Sequence, residues 1–137
     1  MNETLSRLSD ILKKDGYSLT KPRRAVFQFL LGKEPVTMSD ITKVLMPTVD
    51  RASVYRTVAL FQELGIIQRH NVGWKYTIEL SDTFSEHHHH ITCIRCGKVT
   101  SINEKALERS VEDLARQYGY RATGHQIELQ GYCAACA

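Results

Sequence analysis

Two C-x-x-C pairs constrain this chain more than any other feature of its sequence. Cys93 and Cys96 form the first pair, which Gly97 follows, and Cys133 and Cys136 form the second after a gap of 36 residues. A two-residue spacing lets two thiolates converge on one ion, and four thiolates complete the tetrahedral coordination of a structural zinc site. The pattern therefore predicts bound Zn²⁺. A rubredoxin-like iron site and a redox pair are the alternatives that the spacing leaves open.

Length and composition favour a folded chain of one ordinary domain or two small ones. The chain has 137 residues, of which 42% are hydrophobic and 24% charged. A domain of half this length has a thin hydrophobic core and usually needs a cross-link such as a bound metal ion to be stable. Its apolar runs are short, and charged side chains interrupt the leucines near its start, so we expect neither a spanning helix nor a signal peptide. We therefore expect a cytoplasmic protein whose cysteines bind metal rather than form disulfides.

Basic residues are concentrated in the first part of the chain. The formal net charge is only +3, but basic residues outnumber acidic ones up to Lys75, whereas the two signs nearly balance from Glu79 onward. A basic region is the part of a protein that faces an anionic partner. We therefore expect the first part to face nucleic acid.

Apolar periodicity and end signals predict four helices and then a hairpin. The first helix ends at Asp15-Gly16, the second has Thr20 as its N-cap, the third begins at a Thr37/Asp40 capping box, and the fourth runs from about Asp50 to Leu64. Alternating segments at Ile66–His70 and Trp74–Leu80, around a turn at Asn71-Val72-Gly73, predict the hairpin. Helices followed by such a hairpin form a winged helix-turn-helix, whose fourth helix here would read DNA.

The candidate DNA-binding residues lie mainly on the fourth helix and the hairpin. Arginine contacts guanine edges or phosphates, and a tyrosine ring covers thymine methyl groups. A solvated helix face is the simpler alternative for the fourth helix taken alone. The candidates are Arg23, Arg51, Ser53, Tyr55, Arg56 and Lys75.

Four consecutive histidines, His87 to His90, precede the first cysteine pair. In an extended segment side chains alternate, so His87 and His89 would point to one face and His88 and His90 to the other. Two such pairs suit two separate metal ions, and a solvated cluster with incidental metal affinity is the alternative.

A helix and a strand are predicted to complete the C-terminal part. The helix runs from about Asn103 to Tyr118, and the strand lies near Gln126–Gly131. Four side chains of the helix are expected to point inward, namely Leu107, Val111, Leu114 and Tyr118.

Several of these segments together resemble the ferric uptake regulator family over nearly the whole chain. They are Tyr17–Arg24, Ser53-Val54-Tyr55-Arg56, Ile67–His70, His87–Gly97, Glu108, His125 and the Cys133/Cys136 pair. The resemblance implies an α+β protein: a winged helix-turn-helix over residues 1–80, a hinge over 81–86, and a small α/β dimerisation domain with a mainly antiparallel sheet over 87–137. It also implies a homodimeric repressor of double-stranded operator DNA, which is no enzyme and has neither a membrane nor a small-molecule substrate as partner.

The same resemblance implies three sets of metal ligands. Cys93, Cys96, Cys133 and Cys136 would hold structural Zn²⁺, while His87, His89, Glu108 and His125 would hold the regulatory ion, Zn²⁺ or Fe²⁺, with Mn²⁺ as a further candidate. A second and weaker set would be Glu79, His88 and His90. This set is weakened because Pro35 replaces a histidine that the family usually supplies, and Ser101 replaces an acidic ligand; His70 and Asp82 are candidate substitutes.

Further departures from the family pattern bear on the choice of function. A basic residue that the family places in the minor groove is Ser18 here, and the histidine at position 89 favours the zinc-sensing branch over the iron-sensing one. A peroxide sensor of the same family is the main alternative, and the loss of the acidic ligand at Ser101 counts against it. A zinc hydrolase is less favoured because H-E-x-x-H is absent from the sequence.

Overall fold

Four helices and a hairpin form the first of two compact units in the computed structural model. The structure describes residues 2–72 and 74–137, and the two units divide between Ser85 and Glu86. The elements of the first unit are α1 (Glu3–Lys14), α2 (Lys21–Leu30), α3 (Met38–Leu45), α4 (Arg51–Glu63), β1 (Ile67–Val72) and β2 (Lys75–Leu80). Among the described residues, no helix has the length and apolar character needed to cross a membrane.

Short-range hydrogen bonds set the starts of the helices in the first unit. The side chains of Thr20, Thr37 and Asp50 each accept a hydrogen bond from a backbone N–H in the first turn of α2, α3 and α4, respectively. In α3 the bond is reciprocated, because the Asp40 carboxylate accepts from the Thr37 N–H at 3.0 Å. These caps satisfy N–H groups that a helix leaves unpaired, and all three were predicted from the sequence.

The first unit has a continuous apolar core. Phe27, Phe61 and Leu12 are fully buried, and side chains from every helix and from the hairpin surround them. The rings of Phe27 and Phe84 pack edge to face, with a distance of 4.9 Å between their centroids. The helical periodicity of the sequence therefore corresponds to real burial in this unit.

The hairpin is longer than predicted. Asn71 and Val72 belong to β1 and pair with Tyr76 and Lys75, so the prediction that these two residues form the turn was wrong. The two strands continue to pair through Asn71 and Val72, although asparagine is a residue type that is common in turns. Gly73, the third residue of the predicted turn, lies outside the described residues.

The second unit is a three-stranded sheet with one helix. Its elements are β3 (His89–Cys93), β4 (Val99–Ile102), α5 (Lys105–Gln117) and β5 (Glu128–Gly131). The central strand β3 pairs antiparallel with β4 and parallel with β5. The parallel pairing places the start of β3 beside the segment that precedes β5, and the end of β3, where the first cysteine pair begins, beside the segment that follows β5.

The helix α5 does not bury its apolar side in this chain. Leu107 and Val111 are partly buried, but Leu114 is 56% exposed and Tyr118 is 75% exposed. The prediction that all four point inward was wrong for Leu114 and Tyr118, because the small sheet supplies no layer that covers the end of the helix.

Candidate metal centres and nucleic-acid interface

The four cysteines converge at one end of the second unit. Cys93 ends β3, Cys96 lies in the turn that follows, and Cys133 and Cys136 lie in a second turn after β5; within the described residues all four are free thiols. Gly97 closes the first turn with a φ of 79°, a conformation that a side chain would strain. The Sγ atoms of Cys96 and Cys133 are 3.8 Å apart. Two thiolates bound tetrahedrally at about 2.3 Å would be separated by about 3.8 Å, so the spacing fits zinc.

Backbone N–H groups stabilise negative charge on Cys93. The N–H groups of Cys96 and Cys133 point to its Sγ atom at 3.5 and 3.4 Å. These hydrogen bonds lower the pKa of the Cys93 thiol to about 5, although burial acts in the opposite direction. A thiol that is ionised at neutral pH is prepared to be a metal ligand.

Cys136 behaves in the opposite way. Its thiol hydrogen-bonds the Cys133 sulfur, and this bond, together with burial, raises the pKa of Cys136 to about 12. The Cys136 thiol therefore retains its proton at neutral pH until a cation replaces it. Metal binding at this cluster should release protons, as four-thiolate sites do.

Three histidines and one glutamate form a second cluster in the same unit. His87 precedes β3, His89 lies in it, Glu108 lies on the first turns of α5, and His125 precedes β5. The Nε2 atom of His125 lies 3.1 Å from that of His87 and 3.2 Å from that of His89. The Glu108 carboxylate lies 2.6 Å from His89 Nε2 and 2.8 Å from His125 Nε2.

The two nitrogen–nitrogen distances are close to those of atoms that surround a common centre, whereas the shorter contacts of Glu108 with His89 and His125 are hydrogen-bond distances. Two nitrogen ligands bound tetrahedrally at about 2.0–2.1 Å would be separated by about 3.3 Å. His89 is 4% exposed and Glu108 is 27% exposed, so the cluster is partly shielded from water. The four side chains therefore suit a small divalent cation.

The electrostatics of Glu108 also favour a cation. Burial raises the pKa of its carboxyl group, but the hydrogen bond from His89 and the positive charges of His125, His87 and His89 outweigh it, so that the net shift is downward. The carboxylate stays ionised, and its charge attracts a cation to the three imidazole nitrogens.

The predicted alternation of the four histidines is present. The rings of His87 and His89 have centroids 4.7 Å apart, and those of His88 and His90 have centroids 4.8 Å apart. His88 Nδ1 hydrogen-bonds the carbonyl oxygen of Glu86 at 2.7 Å. The second predicted set combines this latter pair with Glu79 of the first unit.

Glu79 lies in β2 and is almost fully buried. Its carboxylate accepts a hydrogen bond at 2.8 Å from the ring of His70, the neighbouring-strand residue that the sequence offered as a substitute ligand. The two side chains lie on the same face of the hairpin, where a buried carboxylate requires a polar or cationic partner. Asp82, the other substitute, is exposed.

Three of the six candidate DNA-binding residues meet in one concave surface of the first unit. Arg23, Ser53 and Arg56 line an open concavity of about 310 Å³ between α2 and α4. Ser53 also joins the cap of α4, since its hydroxyl donates to Asp50 at 2.6 Å and accepts from Arg56 at 3.2 Å. Two guanidinium groups thus face the same space.

The other three candidates are cations or rings on exposed surfaces. The guanidinium of Arg51 lies 5.4 Å from the centre of the Tyr55 ring, and the ammonium of Lys75 lies 5.0 Å from that of Trp74. Tyr55 is 41% exposed and Trp74 is 88% exposed. Aromatic rings beside cations are a surface composition typical of nucleic-acid interfaces.

The sequence patterns did not single out the other residues of the concave surface, Tyr17 and Thr20 among them, or the exposed ring at the hairpin. Tyr17 and Thr20 line the concavity, and the Arg23 guanidinium lies 5.3 Å from the centre of the Tyr17 ring while donating to the Ser18 carbonyl at 2.7 Å. The Asp15-Gly16 pair predicts where α1 ends, but it does not predict that Tyr17 and Thr20 lie beside α4. Trp74 was predicted as a strand residue, and the only signal for its role in the sequence is the neighbouring Lys75.

Comparison with known proteins places these features in one family. The model of the ferric uptake regulator family matches residues 14–130. The ferric uptake regulation protein of Escherichia coli strain K12 is 36% identical over 131 residues, which cover 90% of this chain and 86% of that protein. A structure of the ferric uptake regulator from Pseudomonas aeruginosa with manganese aligns with a TM-score of 0.72 at 27% identity and covers 97% of this chain and 99% of that chain. The regulator from Helicobacter pylori aligns with a TM-score of 0.79 at 23% identity over 97% of this chain and 91% of that chain, a likeness of fold.

Proposed function

Because the chain belongs to the ferric uptake regulator family of metal-responsive transcriptional regulators, we propose that it represses transcription in the cytoplasm by binding operator DNA as a homodimer when its histidine cluster holds a divalent metal ion. Proteins of this family are regulators and not enzymes, so the hydrolase alternative is set aside. The observation that carries the proposal is the convergence of His87, His89, Glu108 and His125 around one centre.

The four-cysteine cluster is the proposed structural zinc site. Its supports are the 3.8 Å sulfur separation and the backbone N–H groups that point to Cys93. When bound, Zn²⁺ would supply four coordinate bonds that join the end of β3 to the turn after β5. A site with four protein ligands has no open position for chemistry, which agrees with a structural role.

The histidine cluster is the proposed regulatory site. Its ligands come from the strand β3, the helix α5 and the segment before β5, so one ion would tie three elements together. His87 is also the second residue of this unit, because the unit begins at Glu86. Metal binding would therefore order the position at which the chain enters the unit, and a ligand that prefers one arrangement shifts the population toward it.

Zinc is the ion proposed for this second site as well. Three imidazole nitrogens and one carboxylate oxygen are borderline and hard donors, respectively. Together they complete four-coordination, the number that zinc prefers. An iron(II) site of the facial-triad type would combine two histidines with one carboxylate and leave positions open. Affinity alone does not select the metal, so the test below uses zinc, iron and manganese in parallel.

The first unit is the proposed reader of DNA. The cationic concavity between α2 and α4 suits phosphates, and Tyr55 and Arg51 on α4 suit base edges in the major groove. Lys75 on the hairpin suits the adjacent backbone. The second unit is the proposed dimer contact, because Leu114 and Tyr118 of α5 and Leu129 of β5 leave apolar surface exposed in a single chain.

Two double variants test the proposal. An operator selected from random DNA by the zinc-loaded protein serves as the probe, and fluorescence anisotropy measures its binding while zinc, iron(II) or manganese is titrated. His87/His89→Ala removes two ligands of the regulatory cluster, and His88/His90→Ala is the matched control from the other face of the same segment. Zinc analysis of each variant checks that the cysteine site is still filled.

We expect the His87/His89 variant to lose its metal-dependent DNA binding and the His88/His90 variant to keep most of it. If the His88/His90 variant alone loses the response, those two residues belong to the sensor and His70 or Asp82 become the ligands to study. Iron-loaded protein that gains oxygen on a histidine after peroxide treatment, as seen by mass spectrometry, would favour the peroxide-sensing alternative.

A further inference from the structure

Arg95 lies between the two cysteines of the first C-x-x-C turn and contacts the second turn at both of its ends. Its Nη1 atom donates a hydrogen bond to the carbonyl oxygen of Cys136 at 2.9 Å. Its guanidinium lies 5.0 Å from the centre of the Tyr132 ring, and Tyr132 immediately precedes Cys133. One exposed side chain therefore spans the whole second turn across 41 residues of sequence.

We propose that Arg95 is a positioning residue that holds the two cysteine turns together and thereby slows the release of zinc from the four-cysteine site. The inference rests on the proposed structural zinc. Arginine suits this role because its planar guanidinium can donate a hydrogen bond along its edge while its face covers an aromatic ring.

The backbone contacts between the two turns explain why the far end of the second turn needs a further link. The Cys133 N–H points to Cys93 Sγ at 3.4 Å, and the Ile94 N–H donates to the Gly131 carbonyl at 2.9 Å. Both contacts fasten the entry of the second turn. Cys136 lies at its exit, where its N–H returns to the Cys133 carbonyl within the same turn. The bond from Arg95 connects this exit to the first turn.

The charge of Arg95 acts in the same direction. Four thiolates around one Zn²⁺ carry more negative than positive charge, and a guanidinium beside them offsets the excess. Partners of metal ligands that lie outside the coordination sphere typically change metal affinity by about 10- to 100-fold. Since this contact is exposed, we expect an effect at the lower end of that range.

The test measures zinc release to an excess of a chromophoric chelator from the full-length protein loaded with one zinc per chain, so that zinc at the histidine cluster does not add a second phase. Arg95→Ala should release zinc about tenfold faster than the wild type, at the lower end of the range for such partners. Arg95→Lys should fall between the two, since lysine keeps the charge but not the planar donor. Arg121→Ala, which removes an exposed arginine elsewhere in the same unit, is the control and should release zinc at the wild-type rate.

A second measurement separates positioning from a general loss of structure. During zinc release, cysteine alkylation followed by mass spectrometry should show a higher ratio of Cys136 to Cys93 modification in Arg95→Ala than in the wild type, because the exit of the second turn detaches first. Release at the wild-type rate, or an unchanged ratio of the two modifications, would overturn the proposal. If Arg95→Ala cannot be prepared with zinc, a wild-type rate in Arg95→Lys would overturn it. Wild-type protein that contains no cysteine-bound zinc would instead overturn the zinc assignment itself.

Discussion

The two units of this protein are stabilised in different ways. In the first unit the buried apolar residues form one cluster that extends from Leu5 on α1 to Leu80 on β2. In the second unit the buried hydrophobic side chains among the described residues are Cys93 and Val99, and α5 has no buried residue. The second unit instead has two groups of converging metal-ligand side chains.

This difference indicates why the two four-residue groups of candidate metal ligands lie in the second unit. A unit of about fifty residues buries little apolar surface to offset its conformational entropy, and a bound metal ion would supply the missing stability. A fold that depends on an ion also responds to the concentration of that ion. Under the proposed function, the well-packed first unit would keep its DNA-binding surface in shape while the second unit responds to metal.

Replacing Cys96 with serine should have the largest effect on this contrast. Apparent zinc-binding free energies in four-ligand structural sites are on the order of 10 kcal/mol, so loss of one thiolate removes much of the stability of the second unit. We expect less than one tightly held zinc per chain, measured by metal analysis, and loss of the dimer, measured by size-exclusion chromatography with light scattering. A stable dimer with unchanged zinc content would show that the cysteines do not hold a structural ion.

Truncation of one apolar side chain in each unit should give the next largest difference between the units. Phe61→Ala removes a fully buried ring of the first unit and should lower the free energy of unfolding of that unit by about 3–5 kcal/mol. Leu114→Ala, on the exposed side of α5, should change the stability of the monomer by less than about 1 kcal/mol and instead weaken self-association. Urea unfolding and analytical ultracentrifugation measure the two effects. Equal losses of unfolding free energy would contradict the contrast.

Changes to the DNA-reading surface should leave metal binding intact. Tyr55→Ala should reduce the preference for the selected operator over random DNA by about 1–3 kcal/mol. Lys75→Ala is the matched variant and should weaken binding to all sequences similarly, with a shallower salt dependence. Competition anisotropy at several salt concentrations distinguishes them. An unchanged operator preference in Tyr55→Ala would mean that α4 is not the reader.

The smallest expected effect concerns the cap of α4. Hydrogen bonds from the Ser53 hydroxyl and backbone N–H lower the pKa of Asp50 below its ordinary value of 3.8. A carboxyl group with a lowered folded pKa contributes stability that is present above the ordinary pKa and is lost as the pH falls through the lowered one. Asp50→Asn keeps a capping oxygen, so it should remove part of this acid sensitivity of the first unit and change little at neutral pH. Urea unfolding at neutral pH and at a pH below 3.8 measures the loss of stability in acid. If Asp50→Asn loses as much stability in acid as the wild type, Asp50 is not a source of the acid sensitivity.

The sequence predicted those parts of the structure that depend on neighbouring residues. The caps at Thr20, Thr37 and Asp50 and the two faces of the histidine run follow from rules that span a few residues, and the structure has them. The inward direction of Leu114 could not be predicted, because burial depends on whether another layer covers that side of α5.

Contacts between residues far apart in the chain also could not be predicted from the sequence patterns. The parallel pairing of β5 with β3 and the bond from Arg95 to Cys136 join residues about forty positions apart, and no local signal marks either. The ligand set of the histidine cluster lies between these cases. Alternation selects His87 with His89, whereas Glu108 and His125 came only from the family resemblance.

Hydrogen–deuterium exchange of the full-length protein, with zinc and after removal of zinc by a strong chelator, tests the central claim most directly. The claim is that an apolar core organises the first unit and metal ligands organise the second. We expect the amides of α2 and α4 to keep their protection after chelation, and those of β3 and α5 to lose most of theirs. Loss of protection in both units alike, or in neither, would contradict this account.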